Sequence, residues 1–226
     1  MDNLNSSGEV VNQALRELDF INSWLGGNAV TLAGVMSLLA SADSTRTLAF
    51  ADLGCGSGEM LRIISKRTVQ FGNKKEFVGI DANPNIVAYA KKWSNGFPDL
   101  KFECLNIFSE EFRAQKFDII LTTLFLHHFS KSQLVILFRQ LRDQARIGIV
   151  VNDIHRHPLA YHAIRVLTRL FSKSDMVKHD APLSVLRAFK RNEIKAILAE
   201  AGIHNYSLTW KWAFRWSLII SSGTSA

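Results

Sequence analysis

Cysteine is scarce in this 226-residue chain, which has only Cys55 and Cys104. The two stand far apart with no C-x-x-C partner. That excludes a disulfide scaffold and a zinc ribbon, and it fits a reducing compartment, so a cytoplasmic location is expected and no metal site is. Internal repeats and low-complexity tracts are missing too. No basic stretch leads into an apolar core near Met1, so no secretory signal is expected. Long hydrophobic runs are also lacking. The longest uncharged stretch, Leu25 to Ala42, is broken by Gly26, Gly27, Asn28, Thr31, Gly34 and Ser37. A membrane-spanning helix needs roughly 20 mostly apolar residues, so this stretch is expected to be a buried or lid helix of a soluble chain. Acidic charge runs short in one place. Between His155 and Arg191 eight Lys or Arg face only Asp175 and Asp180, so +6 of the chain's net +7 sits there. A basic patch is a solvated face or a surface for phosphate, nucleic acid or an anionic membrane.

Hydrophobic residues make up 47% of the chain and charged residues 21%, the balance of an ordinary globular core in one domain. Val10, Ala14, Leu15, Leu18 and Phe20–Ile21 recur at helical spacing, and a second helix is expected over Ala29–Leu39. Short apolar runs then alternate with helical patterns. Strands are expected at Leu48–Leu53, Phe77–Asp81, Lys101–Leu105, Phe117–Thr122 and Arg146–Val151. Helices are expected at Ser57–Phe71, Asn85–Trp93 behind Pro84, Ser109–Ala114 and Lys131–Gln144. Such alternation implies an α/β fold with a mostly parallel sheet and helices on both faces. After the fifth strand come an amphipathic helix at Pro158–Phe171, a basic loop, and a helix at Arg191–Ala201 ending at Gly202. In the first of these, Ala160, Ile164, Leu167 and Phe171 form an apolar stripe, with His162, Arg165 and Arg169 on another face. Two β-rich runs, Asn205–Trp210 and Phe214–Ser221, close the chain as an antiparallel hairpin, which brings the sheet to seven strands.

The sharpest motif is Asp52-Leu53-Gly54-Cys55-Gly56-Ser57-Gly58, placed between a strand and a helix. Glycines there admit unusual φ angles and a close ligand, and the helix N-terminus offers free N–H groups to an anionic group. The spacing is G-x-G-x-G because position 59 is Glu, so it is not the G-x-G-x-x-G of nicotinamide enzymes. A P-loop would need Gly-Lys-Ser/Thr, which is absent. Asp81 ends the second strand, where a carboxylate can accept both ribose hydroxyls of an adenosine. Asn106 ends the third, within reach of an adenine amine.

Four signatures, ADLGCGSG, VGIDANPNIVAYAKK, FDIILTTLFLHHF and the terminal hairpin, make Thr45–Ser221 resemble the class I, Rossmann-like S-adenosylmethionine (SAM)-dependent methyltransferases. The resemblance implies SAM as cofactor and S-adenosylhomocysteine (SAH) as product. Asp52, Gly54, Cys55, Gly56 and Gly58 would line the methionine part. Asp81 and Ala82 would hold the ribose, Asn106 and Ile107 would frame the adenine, and Thr123 would complete the cofactor site. The helical patterns on either side of the motifs lead to the expectation of a helical cover over residues 1–44 on a core of 45–226, with the 155–190 insertion as the substrate lid. Asn stands at the adenine position, where Asp is common, and it can make the same contact.

Methyl transfer to a hydroxyl gains from a base, and histidine is the natural one near neutral pH. His128, His155 and Asp153 are the candidate catalytic residues. His127, His157 and Tyr161 are the candidate acceptor contacts. The segments VNDIHRHPLAY and HDAPLSV also resemble bacterial methyltransferases of polyketide and phenolic-lipid pathways, which implies O-methylation of a small phenolic or lipid-like acceptor. The apolar stripe and basic face of the helix at Pro158 fit either packing on the core with a solvated basic side or peripheral contact with a lipid surface. An RNA methyltransferase using the basic 155–191 segment is the alternative, although no Asn-Pro-Pro-Tyr motif follows the fourth strand. A SAM-binding protein without catalysis is the third reading.

Overall fold

The computed structural model describes residues 7–222 apart from 41, 44 and 73. Residues 1–6 of the 1–44 cover, its boundary at 44, and the last four residues of the 45–226 core lie outside the described residues. The elements in chain order are α1 (Glu9–Trp24), α2 (Gly27–Leu39), β1 (Leu48–Leu53), α3 (Glu59–Arg67), β2 (Lys75–Asp81), α4 (Pro84–Trp93), β3 (Leu100–Cys104) and α5 (Glu110–Arg113). They continue with β4 (Phe117–Thr123), α6 (Lys131–Gln144), β5 (Ala145–Ile154), α7 (Pro158–Phe171), α8 (Asp175–Arg187), α9 (Arg191–Glu200), β6 (Tyr206–Lys211) and β7 (Arg215–Ser221).

The strands form one seven-stranded sheet in the order β3-β2-β1-β4-β5-β7-β6. β1 to β5 run parallel, and β7 is antiparallel to both β5 and β6. The apolar runs of β1 and β4 are buried almost throughout because helices cover both faces of the sheet. On one face Leu137, Phe138 and Leu141 of α6 and Ile194, Ile197 and Leu198 of α9 pack on Ile120, Val151 and Leu218. On the other, Val35 and Leu38 of α2, Leu61 and Ile64 of α3 and Val87 of α4 pack on Phe50, Phe77, Leu121 and Val150. The strand order reverses between β1 and its neighbours β2 and β4. In open α/β sheets ligands bind at the carboxyl ends of the strands flanking that point. This is the Rossmann-like class I architecture, with its terminal hairpin in place.

Helix starts follow local chemistry. Asn83 accepts the Asn85 N–H at 2.9 Å with Pro84 in the first turn of α4, and Ser130 and Gln133 form a capping box on α6. Three expectations need correction. The Ser57–Phe71 pattern resolves into α3 and a separate 3-10 turn at Val69–Phe71. The fifth strand runs to Ile154, because Asn152 and Asp153 find polar partners in α2 and in the 3-10 turn after β4, on the two faces of the sheet. The basic loop after α7 contains α8, capped by Ser174 and tolerating Pro182 in its interior. The expected apolar stripe of α7 is only partly covered. Ala160 is buried, yet Phe171 is 75% exposed at the helix end, and Leu159, Val166 and Leu170 are exposed on a second stripe. Among the described residues no helix is long and apolar enough to cross a membrane.

Candidate active site

The glycine loop leaves β1 and is pinned to the next strand by the Gly54 and Cys55 N–H groups, both donating to Ile80 C=O at 2.9 and 3.1 Å. Gly54 has φ 68°, and a Cβ there would lie 2.2 Å from the Phe125 ring. Gly58, at φ 75°, caps α3, and a Cβ there would meet Phe102 at 2.6 Å. Both positions need glycine for conformation and for space. Asp52 is only 2% exposed, and its Oδ1 is buried without a partner among the described residues. Burial, with the Asp81 carboxylate nearby, pushes its pKa up to about 8. Asp81 is also raised by burial, opposed by the N–H groups of Asn83, Gly56 and Ala82.

The remaining expected cofactor residues lie along the same edge. Ala82 follows Asp81, the Leu105 N–H donates to Asp81 C=O at 3.1 Å, and the Asn106 side chain accepts the Phe108 N–H at 2.9 Å. Asn106 is exposed at the rim, while Ile107 and Cys55 are buried. Burial holds the Cys55 thiol well above its ordinary pKa, so it is an inert wall of the loop. The Thr123 hydroxyl lies 3.0 Å from that of Thr31. An orphaned buried carboxylate, two glycines that a Cβ would block and a carboxylate at the end of β2 suit SAM: an ammonium for Asp52, a close backbone for the methionine part, hydroxyls for Asp81.

Beyond β4 the chain turns sharply at Leu124, whose φ of 55° is unusual for a branched residue. A 3-10 turn, Leu126–His128, follows. Asp153 organises it: one carboxylate oxygen accepts the Leu126 and His127 N–H groups at 2.8 and 3.3 Å. The other accepts the Ile154 N–H and lies 2.7 Å from His127 Nδ1. Burial opposes the charge of Asp153, but His127 and these donors hold its pKa below the usual carboxylate range. An ionised carboxylate only accepts, so Nδ1 of His127 carries the proton. Both side chains are buried. His128 is exposed, with its ring centroid 4.4 Å from that of His127.

The second histidine pair lies past β5. Burial, then the neighbouring His157, lowers the His155 pKa, and its Nδ1 is buried without a partner among the described residues. His157 caps α7 by accepting the Leu159 N–H at 3.2 Å, and its ring stacks on Phe214 at 5.0 Å. Tyr161 is half-buried beside His162. No group of three or more metal-ligating side chains occurs among the described residues.

Sequence reasoning missed Thr31, Asn152 and Asp19. Asn152 is fully buried and donates to Gly27 C=O at 2.9 Å and Thr31 Oγ1 at 3.0 Å, tying α2 to the sheet. A polar residue inside an apolar strand was the available signal. Asp19 of α1 bonds Ser57, so this helix closes on the glycine loop. Burial raises its pKa to about 6, and Glu59 adds to the shift.

The sequence profile of the methyltransferase domain family matches residues 44–202, well over half of the chain. A SAM-dependent methyltransferase from Aquifex aeolicus superposes with TM-score 0.63 at 16% identity, covering 92% of this chain and 98% of that one. Magnesium protoporphyrin IX methyltransferase from Synechocystis, with bound SAH, gives TM-score 0.57 at 18% identity over 87% and 82%. The CMeT domain of the citrinin polyketide synthase gives 0.59 at 17% identity over 78% of this chain and 47% of that one. A search of the curated proteins finds no match to this sequence. The profile match, the seven-stranded sheet and the glycine loop with Asp81 beyond it agree: this chain belongs to the class I SAM-dependent methyltransferases.

Proposed function

We propose that the chain methylates a hydroxyl of a small phenolic, polyketide- or lipid-like molecule, held between the α1–α2 cover and the 155–190 lid. The observation that carries this reading is the histidine cluster at the ends of β4 and β5, beside the SAM edge. Bound SAM supplies an electrophilic methyl on a sulfonium, so the chain must align the acceptor oxygen and take its proton. A lowered pKa keeps His155 neutral at pH 7, and its orphaned Nδ1 can accept that proton. His128 is the second candidate base. Asp153 does not reach solvent. It is a positioning residue that fixes the tautomer of His127 and the 126–128 turn, while His127, His157 and Tyr161 shape the acceptor wall.

The outer face of the lid supports an amphiphilic acceptor. Leu159, Val166, Leu170 and Phe171 are exposed along α7, and Arg165 and Arg169 flank them. An apolar stripe among cations suits an anionic lipid surface better than RNA, which has no use for exposed leucines. The test is methyl transfer from labelled SAM to a phenolic-lipid extract and, separately, to total RNA. Label in an organic-extractable product is expected, with the rate falling only on the acid side of the ordinary histidine range, as His155 with its lowered pKa takes up a proton. Replacing it (His155→Gln) is expected to cost about 10²-fold or more in kcat. Label in RNA alone would overturn the reading.

A further inference from the structure

β7 begins with a cation in a strand that has no other charged residue. Arg215 pairs with Ile154 in antiparallel register and, like the Asn152–Ser217 pair, faces α2. It is 4% exposed. A buried guanidinium is costly unless it is paired, and natural chains almost always supply the partner. Here Nε and Nη1 have no hydrogen-bond partner and no carboxylate stands within ion-pair distance, among the described residues. Asp153 is near enough to be felt, but it faces the opposite side of β5, and both its oxygens are engaged by His127 and three backbone N–H groups. Burial lowers the pKa of Arg215 to about 10, which still leaves it cationic at neutral pH.

The atoms around it are orphaned in the complementary sense. Asn22 Oδ1 and Asn152 Oδ1 are buried without partners. Gly27 lets the Asn22 amide and the guanidinium pack against the start of α2, since a Cβ there would lie 2.0 Å from Asn22 Oδ1 and 2.7 Å from Arg215 Cζ. From this nook a row of polar side chains leads back to the cofactor loop. Asn22 donates to Asn28, and Asn28 donates to Glu59 at 3.1 Å in the first turn of α3. On the other side Asn152 leads through Thr31 to Thr123 at the end of β4. The unpaired cation therefore sits under the α1–α2 corner, on the acceptor side of the cofactor edge.

We propose that Arg215 is the anchor for a carboxylate on the methyl acceptor, so that the natural acceptor is an acid held at one end by this guanidinium. The inference rests on the reading that the acceptor is a small molecule. A planar carboxylate fits the guanidinium fork with two parallel N–H bonds, which a lysine could not reproduce. An acceptor lacking the carboxylate leaves a buried cation unpaired and is rejected, which makes Arg215 a specificity residue rather than a catalytic one.

The probes are 4-hydroxybenzoate and its neutral counterpart 4-hydroxybenzamide, added to the SAH-loaded full chain. Binding is read by calorimetry and thermal shift, so turnover is not required. The expected result is that the acid binds at least tenfold tighter than the amide. That preference is lost in Arg215→Met and weakened in Arg215→Lys, while SAH affinity holds in both. Lys is the second variant should Met impair folding. A third variant, Asn22→Asp, supplies an internal carboxylate beside the guanidinium. It is expected to raise Tm by a few degrees and abolish the acid preference without touching Arg215. Equal binding of acid and amide by the wild-type chain, or an acid preference surviving in Arg215→Met or Asn22→Asp, would overturn the proposal. Failure to methylate any phenol while the acid preference holds would instead sink the proposed function and leave the anion site standing.

Discussion

At the scale of single residues, burial decides which carboxylates are charged. The folded chain keeps a proton on Asp52 up to about pH 8, whereas the unfolded chain releases it near 3.8. The stability this proton contributes is complete below about pH 4 and is lost as pH rises through 8. The ligand-free chain should therefore melt lower at pH 8.5 than at pH 6, and Asp52→Asn should flatten that slope and raise Tm at pH 8.5 by about 5 °C. The ammonium of SAM favours the ionised carboxylate, so binding at pH 7 should release close to one proton. Calorimetry in buffers of different ionisation enthalpy measures this, and a binding heat independent of buffer would remove Asp52 from the ammonium contact. The glycine loop and Asp81 were legible in the sequence because their chemistry is local: a strand, a turn that only glycine can make, and a helix. Asn152 and Arg215 were harder to read. Each breaks an apolar strand pattern, but only the packing of α2 on β5 and β7 reveals what the break is for.

At the scale of elements, helices and strands with a buried stripe announced themselves, and those without one did not. α8 buries only Val177, Pro182 and Val185 and carries Pro182 in its interior, so neither periodicity nor propensity marks it as a helix. Its start is set by Ser174 and its position by α7, against which it packs as a hairpin, and that is tertiary information. The same hairpin meets the N-terminal cover at Glu17. That carboxylate accepts the Ser172 hydroxyl and the Lys173 N–H, the latter at 3.0 Å. Hydrogen bonds to a charged acceptor are worth about 1.5–3 kcal/mol each where buried, and less at a half-exposed site such as this. Glu17→Ala should therefore loosen the two covers locally, with global Tm falling only by roughly 2–4 °C. Faster proteolytic cleavage at Lys173, suppressed by SAH, is the expected signature. An unchanged cleavage rate would mean that the covers are held by their apolar contacts alone.

At the scale of the whole molecule, cation and apolar surface coincide. The basic segment that the sequence set apart folds into α7 and α8, and the exposed apolar side chains of α7 lie among its arginines, a pairing composition alone could not reveal. Phe20 and Trp24 of α1, the helix that meets this hairpin through Glu17, are exposed at 67% and 65% as well. Scattered exposed leucines need no explanation, but a grouped set on one helix does. If the α7 stripe collects an amphiphilic acceptor from a lipid surface, the full chain should co-sediment with vesicles containing phosphatidylglycerol and much less with neutral phosphatidylcholine. The salt dependence should be mild, because buried apolar side chains hold the chain once charge has brought it in. The double substitution Val166→Glu with Leu170→Glu should reduce partitioning at least tenfold while leaving SAH affinity intact. It should also slow transfer to vesicle-borne acceptor without slowing transfer to a short water-soluble one. Equal loss toward both acceptors would show that the stripe serves the folded lid rather than the membrane, and the basic rim would then be no more than a solvated face.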